Sequence, residues 1–190
     1  MKVITVSGKA EAGKDTSAKL LKEKLEELGY SAVIYHYADL LKFICEKFFG
    51  WDGQKNEEGR SLLQYVGTEV VRAKYPDYWV DFVKGLLKLF PNEWDFVIIP
   101  DTRFPNEIDL IKQEFDCVAV RVTRPNYENH LTQEQRQHAS EIALDAYTFD
   151  AEIMNMGEIQ GLREEVENFV NELFENDTKK SLFKKIKDKM

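Results

Sequence analysis

Gly8-Lys9-Ala10-Glu11-Ala12-Gly13-Lys14 follows a β-branched run, Val3 to Val6, and leads straight into a helical pattern. Its two glycines let a strand-to-helix turn close tightly, so that successive backbone N–H groups converge on one point. The positive end of the following helix faces that point, and the Lys14 ammonium adds a full charge. Such an arrangement cradles phosphate oxygens, with the lysine reaching the outer phosphates of a nucleotide. The expected contacts are Gly8, Ala10, Glu11, Ala12, Gly13, Lys14, Asp15 and Thr16. The position after the lysine ordinarily carries a Ser or Thr hydroxyl for Mg²⁺; here it carries Asp15. A carboxylate can hold that ion directly or through water, cap the helix, or hold a cation of the substrate site. Spacing alone leaves all three open.

A second cluster, Pro100-Asp101-Thr102-Arg103, ends the apolar run Phe96 to Ile99. An aspartate at the carboxyl end of a central strand can orient metal-bound waters or accept a proton. Arg103 can hold a phosphate through two N–H groups. The plainer alternative is that Asp101 caps the next helix. Between residues 40 and 89, Arg60, Gln64 and Thr68 recur every four residues, with Arg72 beyond them. On a continuous helix the first three share a face, which by itself reads as a solvated stripe. Trp79 reads as core more readily than as a platform for a base. The polar stretch 121–138 brings Arg121, Arg124 and Arg136, then His138-Ala139-Ser140-Glu141. Arginines on a closing segment suit neutralisation of a moving phosphoryl group. His138 has no Cys, His or carboxylate at metal-ligand spacing, which argues against zinc. Asn155-Met156-Gly157 follows the last short run, at a sheet edge where an adenine could rest.

These residues need a scaffold that brings them together. Apolar runs at Val3–Val6, Ala32–Tyr37, Phe96–Ile99, Val118–Val122 and Ala151–Met154 alternate with helical patterns such as Thr16–Leu28, which Gly29 closes. That alternation predicts an α/β fold: a mostly parallel five-stranded sheet between two helical layers, with ligands beyond the carboxyl ends of the strands. Residues 40–89 hold no convincing strand and are expected to form a helical insertion. Residues 121–141 are expected to form a lid, and Glu158–Phe174 a closing amphipathic helix. All of this fits one domain over residues 1–174. The tail 175–190, with six lysines between Lys179 and Lys189, reads as a solvated or frayed helix, with docking to a membrane or partner the minority view.

The balance of 43% hydrophobic and 32% charged residues is that of a globular protein. A net charge of -8 argues against general binding to nucleic acid polymers. Cys45 and Cys117 lie in apolar runs and read as free buried thiols in a reducing compartment. The chain opens on a strand rather than a leader, and no apolar run nears the ~20 residues that span a bilayer. A cytoplasmic protein is expected, without membrane contact; a homodimer is compatible.

Several further pieces join these motifs: Gly13-Lys14-Asp15-Thr16, Ala38-Asp39-x-Leu-Lys42, Leu63-Gln64-x-x-Gly67-Thr68-Glu69-x-x-Arg72, Trp79, Asp101-x-Arg103-Phe104-x-Asn106-Glu107 and His138-x-Ser140-Glu141. Together they resemble the deoxynucleoside monophosphate kinases of bacteriophages and bacteria, within the adenylate-kinase-like P-loop group. The likeness spans Met1 to about Phe174 and leaves out the lysine-rich tail. Asp15, unusual against the general loop, is ordinary for this family. The resemblance implies ATP with Mg²⁺ as donor and a deoxynucleoside 5′-monophosphate as acceptor, in a host cytoplasm if the chain is phage-encoded. It implies acceptor-binding roles for Asp39, Lys42, Arg60, Gln64, Arg72, Trp79, His138 and Glu141. Lys14, Asp101, Arg103 and Arg124 are implied as catalytic, Asp15 and Asp101 as metal-holding, and Asn155 and Gly157 as ATP contacts beside the loop.

Two alternatives stay open: another phosphate kinase of the same fold, such as a phosphomevalonate kinase, and an ATP-dependent switch. The arginine-rich insertion argues against a switch, which has no use for a second phosphate site. Replacement Lys14→Ala is expected to lower kcat by orders of magnitude while leaving the melting temperature nearly unchanged, as steady-state kinetics and calorimetry would show.

Overall fold

The computed structural model describes residues 1–54 and 56–187, with the backbone alone for residues 179–187. Five strands, β1 (Lys2–Ser7), β2 (Ala32–Ile34), β3 (Phe96–Thr102), β4 (Asp116–Thr123) and β5 (Ala151–Met154), form one sheet in the order β2-β3-β1-β4-β5. Every pairing is parallel. The helices are α1 (Lys14–Glu27), α2 (Ala38–Phe48), α3 (Glu57–Gln64), α4 (Tyr78–Leu89), α5 (Pro105–Glu114), α6 (Gln133–Gln137), α7 (Ala139–Ile142) and α8 (Ile159–Lys187). A π-helical stretch, Tyr65–Arg72, continues α3 directly.

Strand side chains alternate between faces, and both faces here are apolar. Ile4, Val6, Phe96 and Ile98 pack with Leu21 and Leu25 of α1 and with Leu162, Val166 and Val170 of α8. Val3, Val97 and Ile99 point the other way, onto Val80, Val83 and Leu87 of α4 and Ile111 of α5. The outcome is the three-layer α/β/α arrangement that the alternating pattern predicts. A parallel sheet buried on both sides is why the strands read as unbroken apolar runs.

Two elements differ from the expected bounds. β2 stops at Ile34 rather than Tyr37. β3 runs on past Ile99 to Thr102, pairing again with β1 at Ser7 after a register slip between Thr5 and Ser7. Pro100 lies in that irregularity, the place where a central strand tolerates a residue without an N–H. Carboxyl ends of β1, β3, β4 and β5 deliver Gly8, Arg103, Arg124 and Asn155 to one edge of the molecule. The expected lid also starts later than residue 121, since Arg121 belongs to β4.

The insertion contains no strand among its described residues. An α-helix turns about 100° per residue, so positions four apart drift by about 40° at each step. The wider π turns after Gln64 counter that drift, and Arg60, Gln64, Thr68 and Arg72 all reach one cleft. Trp79, only 4% exposed, sits in the core below them. Its indole N–H donates to the Gly67 carbonyl at 3.1 Å. The tail continues the closing helix as backbone through Lys187, and the side chains that would decide a docking role lie outside the described residues. Replacing Trp79 with Phe removes that bond and is expected to lower stability by about 1–3 kcal/mol in urea denaturation. Unchanged stability would mean that the indole does not hold the π stretch.

Candidate active site

The turn between β1 and α1 is crowded from two sides. A Cβ on Gly8 would lie 2.4 Å from the Val122 carbonyl oxygen of β4. One on Gly13, whose φ is +101°, would lie 2.5 Å from the Asn155 side-chain amide. Asn155 is buried and donates to the Ala12 carbonyl at 2.9 Å, while its own oxygen accepts from the Gly157 N–H at 2.9 Å. Its amide thus braces the loop while Asn155 also lines the smaller of the clefts beside it. Lys14 folds back into the turn, donating to the carbonyls of Gly8 at 2.9 Å and Lys9 at 2.7 Å. Burial, reinforced by the nearby Arg103 charge, lowers its pKa to about 7.

Two clefts flank this loop. The larger, of about 680 Å³, runs from Ala10 across the insertion residues Lys42, Arg60, Gln64 and Arg72 to Asp101 and Arg103. The smaller, of about 400 Å³, lies between the start of α1, Arg124 and Gly157. Glu11, Lys14 and Asp15 belong to both walls. Thr16 lines only the smaller cleft. Asp15 is largely exposed in the first turn of α1 and pairs with His36 Nε2 at 3.5 Å, which raises the His36 pKa.

Asp101 is engaged by a helix start, though not the one expected. Its two carboxylate oxygens accept from the N–H groups of Tyr37 at 3.0 Å and Ala38 at 2.9 Å, where α2 begins. Orphan amides at a helix start, with their partial positive charge, account for the choice. Asp101 remains on the cleft wall. As for a metal, oxygen donors at Asp15 and Asp101 fit the hard-ion chemistry of Mg²⁺, which is usually held by one or two carboxylates together with substrate phosphates. No group of three or more His, Cys, Asp and Glu suited to a metal occurs among the described residues.

Arg103 is held at both ends. Its guanidinium pairs with Glu141 of α7, and its backbone N–H donates to Glu107 at 2.6 Å. The second Glu141 oxygen accepts from the Ala10 N–H of the loop at 3.0 Å, so Glu141 ties the lid to both. Its contacts are those of a brace, and it also lines the larger cleft. Arg72 donates to Glu107 at 2.5 Å and to Asn106 at 3.3 Å, with its guanidinium 3.9 Å from the Phe104 ring centre.

Other expected contacts fall outside the larger cleft. Asp39 spends its carboxylate on Lys42 at 2.9 Å and on the His36 N–H at 3.2 Å. His138 caps α7 through Ser140 and reaches Glu69 at 3.7 Å, linking the lid to the insertion. Neither lines the cleft wall. Trp79 lines it from within the core. Arg124 faces the smaller cleft, its guanidinium 3.8 Å from the Tyr127 ring centre and donating to the Glu11 carbonyl at 3.3 Å.

The family model for deoxynucleotide monophosphate kinases matches residues 42–166. The chain belongs to that family. A protein of Acanthamoeba polyphaga mimivirus assigned to the same kinase class is 28% identical over 186 residues, covering 82% of this chain and 89% of its own. The deoxynucleotide monophosphate kinase of Enterobacteria phage T4 is 29% identical over 111 residues, 57% of this chain and 44% of the phage protein. Among solved structures, a shikimate kinase from Aquifex aeolicus superposes with a TM-score of 0.55 at 16% identity, covering 94% of this chain and 99% of its own. An APS kinase from Mycobacterium tuberculosis in complex with AMPPNP and APS gives 0.50 at 15% identity, covering 90% and 97%. At such identities the two structures speak for the fold alone. This protein is a nucleotide kinase, a phosphotransferase of the P-loop fold.

Three residues of this kinase's site carry no expectation from sequence. His36 and Lys19 line the larger cleft, and Glu107 lies buried beneath it. His36 follows the carboxyl end of β2, so the rule that ligands gather at strand ends could have found it. Glu107 closes the Phe104-x-Asn106-Glu107 motif but had no visible partner before folding. A phosphate beside Lys14 stabilises its ammonium and lifts its pKa from about 7. Below pH 7 the lysine is charged in both states, and affinity is insensitive to its titration. Above that, binding takes up a proton and weakens as pH rises, by up to about tenfold per unit. Titration calorimetry of a nucleoside triphosphate at pH 8 in two buffers of different ionisation enthalpy should register uptake of about one proton. No uptake would contradict the buried lysine.

Proposed function

We propose that this kinase transfers the γ-phosphoryl group of ATP to a deoxynucleoside 5′-monophosphate, giving ADP and the diphosphate, within one domain over residues 1–174. The observation that carries this reading is the shared wall: Glu11, Lys14 and Asp15 border two separate clefts. Direct transfer requires donor and acceptor phosphates to meet with water excluded, and a loop standing between two cavities supplies the meeting point.

On this reading the smaller cleft takes the donor, with Arg124 and Gly157 toward the base and the loop amides on the phosphates. The larger cleft takes the acceptor, with Lys42, Arg60, Gln64 and Arg72 available to its phosphate, sugar and base. An acceptor monophosphate is mostly dianionic at neutral pH, so its attacking oxygen needs no general base. That leaves Asp101 free to keep the α2 amides in place. An acceptor oxygen bonds to the γ-phosphorus as the bond to the bridging oxygen of ADP breaks. Lys14 and Arg103 offset the negative charge on the moving group. Asp15 and Asp101 would hold Mg²⁺, which when bound supplies charge neutralisation between the donor phosphates. Residues 124–142, attached to the loop through Glu11 and Glu141, keep water from the junction.

A panel of dNMP and NMP acceptors with ATP, followed by coupled release of ADP, tests this directly. At least one deoxynucleoside monophosphate should turn over at about 1–100 s⁻¹. If none did while phosphorylated metabolites were consumed, the acceptor would be of another class.

A further inference from the structure

Glu107 is a carboxylate with almost no exposure, 2%, at the first turn of α5. One oxygen accepts from Arg72 Nη2 at 2.5 Å. The other accepts from the backbone N–H groups of Arg103 at 2.6 Å and Phe104 at 3.1 Å. Its own backbone carbonyl accepts from the buried Tyr37 hydroxyl at 2.7 Å. Burying a carboxylate is costly unless it is paired and fully hydrogen-bonded, and glutamine could accept from two backbone amides without charge. The charge is therefore explained by Arg72. That guanidinium comes from the π stretch of the insertion, whereas Arg103 comes from the end of β3.

We infer that Glu107, assisted by Asn106, is a positioning residue that sets the insertion's Arg72 in register with Arg103 for an acceptor phosphate. The inference rests on the larger cleft being the acceptor site. Asn106 accepts from Arg72 Nη1 at 3.3 Å and also donates to Asp77 at 2.7 Å and to the Pro76 carbonyl. The Pro76 carbonyl accepts from Arg72 Nη1 as well, at 3.1 Å. Both terminal nitrogens of the guanidinium are thus fixed, Nη2 by a carboxylate and Nη1 by a side-chain amide and a backbone carbonyl, and the Phe104 ring covers one face. The Nε–H and one Nη2–H of Arg72 make no hydrogen bond with the described residues, and Arg72 lines the cleft. Open arginine N–H groups are what phosphate oxygens accept. Held this way, the arginine meets an acceptor without first losing rotamer freedom.

Steady-state kinetics on Glu107→Gln, Arg72→Ala and the double variant test this. Glu107→Gln should raise the acceptor KM by about tenfold or more and leave the ATP KM within about twofold, since it disturbs one substrate's site. In the Arg72→Ala background the same change should add under about twofold, because residues that act through one another are non-additive. An acceptor KM unchanged in Glu107→Gln, or full additivity, would overturn the inference. If Arg72→Ala itself left the acceptor KM untouched, the acceptor site would be misplaced, a distinct failure. Should Glu107→Gln not fold, Asn106→Ala decides. It alters a half-buried contact of the same guanidinium, and an acceptor KM raised about threefold or more supports the positioning role while an unchanged one overturns it.

Discussion

Close approach of the first turn to its neighbours governs the site. The Val122 carbonyl and the Asn155 amide stand where Cβ atoms would lie on Gly8 and Gly13. Only a bare backbone can pass between them, and that constraint bends the chain so that its N–H groups converge. Lys14 lies back along the same loop, against the carbonyls of Gly8 and Lys9. The shape of the loop thus depends on a strand neighbour and a side-chain brace as much as on the motif itself.

A second constraint is charge. The chain carries a net charge of -8 yet must hold anionic substrates, so its cations are gathered and individually counterbalanced. Arg103 faces Glu141, Arg72 faces Glu107, and Lys9 faces Asp145 at 2.5 Å. Each pair fixes a flexible cation before ligand arrives, which lowers the ordering cost of binding. The carboxylates also join separate segments: Glu141 ties α7 to the loop, and Glu107 ties α5 to the insertion. Electrostatic pairing here is architecture for a site, consistent with the modest net stability that ion pairs confer.

The insertion illustrates how local geometry and function meet. A four-residue spacing of polar side chains drifts by about 40° per step around a regular α-helix, and the π turns from Tyr65 to Arg72 bring Arg72 to the same wall as Arg60. Trp79 holds that stretch from below through the Gly67 carbonyl. The larger cleft therefore owes its shape to an uncommon helix type that is fixed by a buried indole.

Much of this was legible in the residues alone. The three-layer parallel architecture, the tight strand-to-helix turn at Gly8–Lys14 and the helical content between residues 40 and 89 follow from local patterns. Apolar periodicity and glycine-lysine spacing act over a few residues and need no tertiary partner to be read. What the sequence could not determine is which polar groups are already committed. Asn155, Asp39 and His138 have the right types and neighbourhoods, but their hydrogen bonds go to Ala12, Lys42 and Ser140. Glu107 shows the converse: an ordinary acidic residue until folding buries it between two arginine-bearing segments. Hydrogen-bond partners distant in sequence are selected by packing, and packing is decided only when the sheet and its helices close around them.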